Sequence, residues 1–212
     1  MFFLVFEGLD GSGKSSLMKR LESYLKQSQQ QVLVTREPGG TDVGDQLRQI
    51  ILNKDQAQPP SPRTELLLYQ ASRSQHVDFV ITPALEQKKW VLCDRFTASS
   101  VAFQGGGRGI TLLDVHWLNR FSTAGLKPHL TILLDLSVEE SKKRRTLRSQ
   151  QTGDTDDRIE SEADDFHQRV RQGFLAQAEQ EPTEWLVLNA ALTPDELFDI
   201  LLNHLKGRQW LP

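Results

Sequence analysis

Residues 2–21 read FFLVFEGLDGSGKSSLMKRL. An apolar run of strand length ends at Glu7 and gives way to three glycines, a lysine, two serines and a helical pattern. Within it, Gly8-Leu9-Asp10-Gly11-Ser12-Gly13-Lys14-Ser15 fits G-x-x-x-x-G-K-[ST]. Glycines let successive backbone N–H groups curl around a phosphate where a Cβ would collide, and the helix that follows adds its positive end. Lys14 can reach the β- and γ-phosphates, and Ser15 can ligate Mg²⁺. A plain glycine turn is the simpler alternative, but a strand before and a helix after are the context the nucleotide motif requires. The loop is therefore expected to bind a nucleoside triphosphate.

Around this loop the 212 residues are expected to form one domain, residues 1–212. A net charge of −3 argues against a general polyanion binder, so no nucleic-acid partner is expected. The single cysteine, Cys93, excludes an internal disulfide and suits a reducing compartment; within WVLC it reads as a buried structural thiol. FFLVF lacks the basic flank of a signal peptide, and nothing later reaches membrane-spanning length. A cytoplasmic protein without membrane contact is expected.

Short apolar runs alternate with longer amphipathic ones. Strands are predicted at 2–6, 32–35, 90–93, 130–135 and 185–188, each covered on both faces. Helices are predicted at 14–27, 43–52, 63–87, 112–123, 138–148, 160–180 and 194–206, the last started by Thr193-Pro194 with Glu196. This alternation predicts an α/β fold, a parallel sheet between helices.

A P-loop alone does not separate a kinase from a motor, a GTPase or a transporter. Asp94-Arg95 follows a buried strand, at the sheet edge where ligands bind. Asp94 can hold the Mg²⁺ shell and Arg95 can grip a second phosphate. Arg36-Glu37-Pro38-Gly39-Gly40 follows another strand in the same way. A phosphate acceptor already carries a nucleophilic oxyanion; a hydroxyl acceptor would need a base, a role open to Glu37. Residues 142–148, KKRRTLR, then SQQTGDT and DDRIE, resemble a lid over about 144–160. Arg144 and Arg148 share a helical face, whereas Lys142, Lys143 and Arg145 read as a solvated basic face.

With EGLDGSGKSS, TREPGGT, DRFTASSVAFQGGGRG and DRIE in this order, the chain resembles the bacterial thymidylate kinases along nearly its whole length. The resemblance implies the nucleoside-monophosphate-kinase variant of the P-loop fold, with a five-stranded parallel sheet. It also implies γ-phosphoryl transfer from ATP to dTMP with Mg²⁺, usually in a homodimer. Residues 8–16, Ser16 included, would bind ATP. Asp10, Arg36 and Arg95 would surround the acceptor phosphate, and Asp10, like Ser15 and Asp94, is a candidate at the metal. Arg73 would bond thymine O4, Ser100 with Ser99 beside it would read the N3 edge, and Tyr69 would stack on the base. Phe103, where the family usually has tyrosine, would crowd the sugar's 2′ position. Glu37, Gln104 and Arg108 would be acceptor-site neighbours, Gly105–Gly107 being either part of that site or a flexible turn. Gly11 stands where some members carry an arginine, so the catalytic arginine is expected from the lid, Arg144 or Arg148. Arg158 would either join the lid or pair with neighbouring acids. A deoxynucleoside kinase with Glu37 as base and a slow nucleotide switch remain the alternatives.

Overall fold

A computed structural model describes residues 1–153 and 155–211; Asp154, inside the predicted lid, and Pro212 lie outside the described residues. Strands β1 (Phe3–Glu7), β2 (Val32–Arg36), β3 (Trp90–Asp94), β4 (Leu130–Asp135) and β5 (Trp185–Asn189) form one parallel sheet, ordered β2-β3-β1-β4-β5. The helices are α1 (Lys14–Gln27), α2 (Asp42–Leu52), α3 (Pro62–His76), α4 (Thr82–Glu86), α5 (Thr97–Ser100), α6 (Leu112–Ser122), α7 (Val138–Thr152), α8 (Asp164–Gln180) and α9 (Pro194–Gly207).

The alternation of β1 builds two cores. Leu4 and Phe6 join α1 and α9 through Leu21 and Leu201, while Phe3 and Val5 join Ile81 and Phe96 on the other face. Each such side chain contributes roughly 1.5–3 kcal/mol by leaving water. Period two then turns Glu7 to the Phe3 face, where its carboxylate meets α5. α9 starts as expected, with Thr193 and Glu196 forming a reciprocal capping box.

Several expectations need correction. The edge strands are not covered on both faces: Val34 and Val187 are 41% and 47% exposed, because the helical layers pack over the central strands. The single helix expected over 63–87 is α3 and α4 joined by a π-helical turn, Val77–Ile81. Pro83 has no N–H for the ladder, so the regular bonding is interrupted there. The sequence predicts no helix between Arg95 and Leu112, yet α5 runs into a π-helical segment, Val101–Gly107. Gly105–Gly107 are not a loose turn. A Cβ on Gly107 would stand 2.5 Å from the Phe166 ring, so the missing side chain lets the segment lie against α8. α7 continues past Arg148 to Thr152, and α8 starts at Asp164, leaving the DRIE residues in a turn.

Candidate active site

The loop after β1 meets α1 at Gly13, and α1 starts at Lys14 with no side-chain cap, leaving its first N–H groups for a ligand. Lys14 is buried. Its Nζ donates to the carbonyls of Gly8 and Leu9, at 3.0 and 3.1 Å, and lies 3.8 Å from Asp10. Burial, reinforced by Arg95, pushes the ammonium below the ordinary lysine range against the pull of Asp10. Ser15 Oγ donates to Asp94 Oδ2 at 3.5 Å, and the buried Asp94 Oδ1 has no hydrogen-bond partner among the described residues.

Arg95 follows β3 with φ +68°, a left-handed conformation that a non-glycine residue holds only where its surroundings enforce it. Its Nη2 donates to Asp10 at 2.9 Å and its Nη1 to Ser99 at 3.3 Å, with Glu7 at 3.9 Å. The guanidinium lies 4.9 Å from the centre of the Phe103 ring. Burial works to raise the Asp10 pKa, but Arg95 and Lys14 outweigh it and hold the carboxylate well below its usual range.

Nothing in the sequence marks Glu7, yet it organises this edge. Its carboxylate accepts from the Phe96 and Ser99 amides, at 2.9 and 3.1 Å, and from the Ser99 hydroxyl at 2.6 Å. Burial raises its pKa from the ordinary 4.5 to about 7, against the opposing pull of Arg95 and these hydrogen bonds. Between those values the folded chain keeps a proton that the unfolded chain has released. The Glu7 contribution to stability is therefore greatest at or below pH 4.5 and falls as the pH rises to about 7. The span corresponds to roughly 3 kcal/mol. Urea denaturation at pH 5 and pH 8 should show wild type losing stability relative to Glu7→Gln; parallel pH dependences would refute the raised pKa.

Beyond Arg95 a second pocket is lined by Tyr69, Arg73, Phe96, Ser100, Phe103 and Gln104. Arg73 is fully buried. It donates to Glu37 at 2.7 Å, to Ser100 at 3.0 Å, to Asn119 at 2.9 Å and to the Phe96 carbonyl at 3.0 Å. The other Glu37 oxygen lies 3.0 Å from His76 Nδ1, so both are engaged. Burial pushes the Tyr69 phenol up. Phe103 both packs edge-on against Phe174 and forms pocket wall. Ser99 turns to Glu7, and Gln104 Nε2 donates to Glu65 at 2.9 Å. Arg36 stands at the mouth of the P-loop pocket, 58% exposed and 3.5 Å from Asp45. Arg48, on the motif-free helix α2, lines both pockets and donates to the Pro38 carbonyl at 3.1 Å; nothing in the sequence marks it.

Residues 6–199 match the family described as Thymidylate kinase. The chain belongs to the thymidylate kinase family. It is 60% identical to the thymidylate kinase of Bdellovibrio bacteriovorus (strain HD100), covering all of this chain and 98% of that protein. It is 46% identical to the thymidylate kinase of Geotalea daltonii, over 92% and 91% of the two chains. The crystal structure of thymidylate kinase from Ehrlichia chaffeensis superposes with a TM-score of 0.75 at 30% identity, covering 96% of this chain and 98% of that one.

In this thymidylate kinase family member the space above Gly11 belongs to α7. Gly11 has φ +80°, and a Cβ there would stand 3.1 Å from that of Arg144, so a side chain at this position is opposed by backbone and neighbour alike. Arg144 bonds Glu140 at 3.1 Å and the Gly11 carbonyl at 3.4 Å, and Arg148 bonds Glu160 at 2.7 Å; both line the P-loop pocket. Arg145 corrects the sequence reading. It is buried, donating to Asp156 at 2.8 Å and to the Glu160 carbonyl at 2.7 Å, because its side of α7 faces the returning chain. Lys142 and Lys143 are exposed as expected. Arg158 does pair structurally, but with the distant Glu65 at 2.8 Å. Arg108 bonds Glu65 and Glu162 and lines neither pocket.

Proposed function

We propose that this chain transfers the γ-phosphoryl group of ATP to dTMP, giving dTDP and ADP, with residues 8–16 holding ATP and the Tyr69–Arg73–Ser100 pocket holding the acceptor. The observation that carries this assignment is the shared wall. Asp10, Glu37, Arg48 and Arg95 line both pockets, so a triphosphate on one side and a monophosphate on the other would meet there. A monophosphate brings its own nucleophilic oxyanion, and positioning with charge neutralisation then suffices. Lys14, Arg95 and a lid arginine supply that neutralisation. The double engagement of Glu37, by Arg73 and His76, counts against its acting as base toward a sugar hydroxyl.

Arg73 and Ser100 read the O4 and N3 edge of thymine, Tyr69 stacks on the ring, and Phe103 crowds the 2′ position. Arg36 reaches the acceptor phosphate from the pocket mouth. The Ser15 hydroxyl and the Asp94 carboxylate, whose Oδ1 has no hydrogen-bond partner among the described residues, would hold Mg²⁺ beside the loop, oxygen donors of the kind this ion takes. When bound, the ion polarises the phosphates. The segment 144–160 acts as a lid within a single domain. Val115 points into the core, but Leu113, Trp117 and Phe121 on α6 are exposed, with the last two rings stacked; this apolar face supports a homodimer. The buried Cys93 suits a cytoplasmic enzyme.

ADP release from Mg²⁺–ATP tests the reading. Strong stimulation by dTMP, and not by thymidine or other monophosphates, is expected. Stimulation by thymidine would restore Glu37 as base, and no stimulation by any acceptor would favour a nucleotide switch.

A further inference from the structure

We infer that Glu65 is a positioning residue that sets Arg148 over the phosphate pocket, through Arg158 and the turn that follows it. The inference rests on the reading of Arg148 as the arginine of the transfer step.

Glu65 is fully buried in the first turn of α3, where a helix N-terminus favours a carboxylate. One oxygen accepts from Gln104 at 2.9 Å and from Arg108 Nε at 3.2 Å; the other accepts from Arg108 Nη2 at 2.9 Å and Arg158 Nη2 at 2.8 Å. Two guanidiniums and an amide therefore converge on a single dry anion, a set of charge-assisted bonds with little freedom. Gln104 belongs to the wall of the acceptor pocket. Arg158 is fixed further by its bonds to the Ile51 and Leu52 carbonyls, at 2.8 and 3.1 Å. Its neighbours Asp157 and Ile159 line the acceptor pocket, and Glu160, two residues on, holds Arg148 at 2.7 Å. A continuous path thus runs from the acceptor wall through Gln104, Glu65, Arg158 and Glu160 to Arg148. Arg148 is otherwise a half-exposed side chain, and such a side chain does not hold one orientation unaided.

Glu65→Gln and Arg158→Gln should each lower kcat roughly 10- to 100-fold, the scale of a small misplacement, with KM for ATP changed less than about 3-fold. Arg158→Gln leaves Glu65 its Gln104 and Arg108 partners, so it carries the test if Glu65→Gln does not fold. In an Arg148→Ala background each change should cost less than about 2-fold, because the group being positioned is gone. The same loss in both backgrounds would overturn the coupling and leave a merely structural Glu65. Arg148→Ala alone without effect on kcat would overturn the reading of Arg148 itself, and the inference with it.

Discussion

Replacing Lys14 with methionine is expected to lower kcat roughly 10³-fold while the fold survives, a loss of about 4 kcal/mol in transition-state stabilisation. Lys14 is the cation inside the loop, hydrogen-bonded to the Gly8 and Leu9 carbonyls and 3.8 Å from Asp10. Methionine keeps the length and apolar stem but removes the charge that would follow electrons onto the leaving phosphate. Among the described residues no other cation stands at this place in the loop: Arg95 acts from the wall shared with the acceptor pocket, and Arg144 and Arg148 approach from the lid side. The two carbonyls lose a donor, so a destabilisation of order 1 kcal/mol, or about 2–4 °C in Tm, is expected. Steady-state kinetics with dTMP and a thermal melt check both. A folded variant within tenfold of the wild-type rate would remove the loop from the chemistry.

The fold was legible because its signals are local. A strand, a glycine loop and a helix in succession define the central unit, and the five apolar runs needed only end corrections and, at the two edge strands, one face left open to solvent. What stayed hidden depends on partners far apart in the chain. Glu7 looks like the end of a strand, and only the fold brings Phe96 and Ser99, 89 and 92 residues away, onto its carboxylate. Glu65 sits in an ordinary helical first turn, with nothing nearby to announce Gln104, Arg108 and Arg158. Arg145 failed for the same reason. Charge runs read as solvated, and the opposite face of a helix is invisible until the returning turn packs on it. Arg73 and Ser100, by contrast, were reached through the family motifs, and the fold does bring them into hydrogen-bond contact.

Arg148→Ala is expected to lower kcat by roughly 10²–10³-fold, below the larger effects of arginines supplied to other phosphoryl-transfer sites, while KM for ATP moves less than about 3-fold. The reason for the split is geometric. Arg148 lines the pocket with its guanidinium on Glu160 rather than on the loop, so it contributes little to holding the nucleotide at rest. Its charge matters once negative charge spreads over the transferring group. Arg144 provides the contrast, being anchored on Glu140 and on the Gly11 carbonyl of the loop itself. Removing it should disturb nucleotide binding at least as much as turnover. Single-turnover rates together with ADP and ATP affinities separate the two variants. Equal losses of turnover and affinity for Arg148→Ala would make it a binding residue, and a kcat loss confined to Arg144→Ala would move the transfer-step role one helical turn toward the loop.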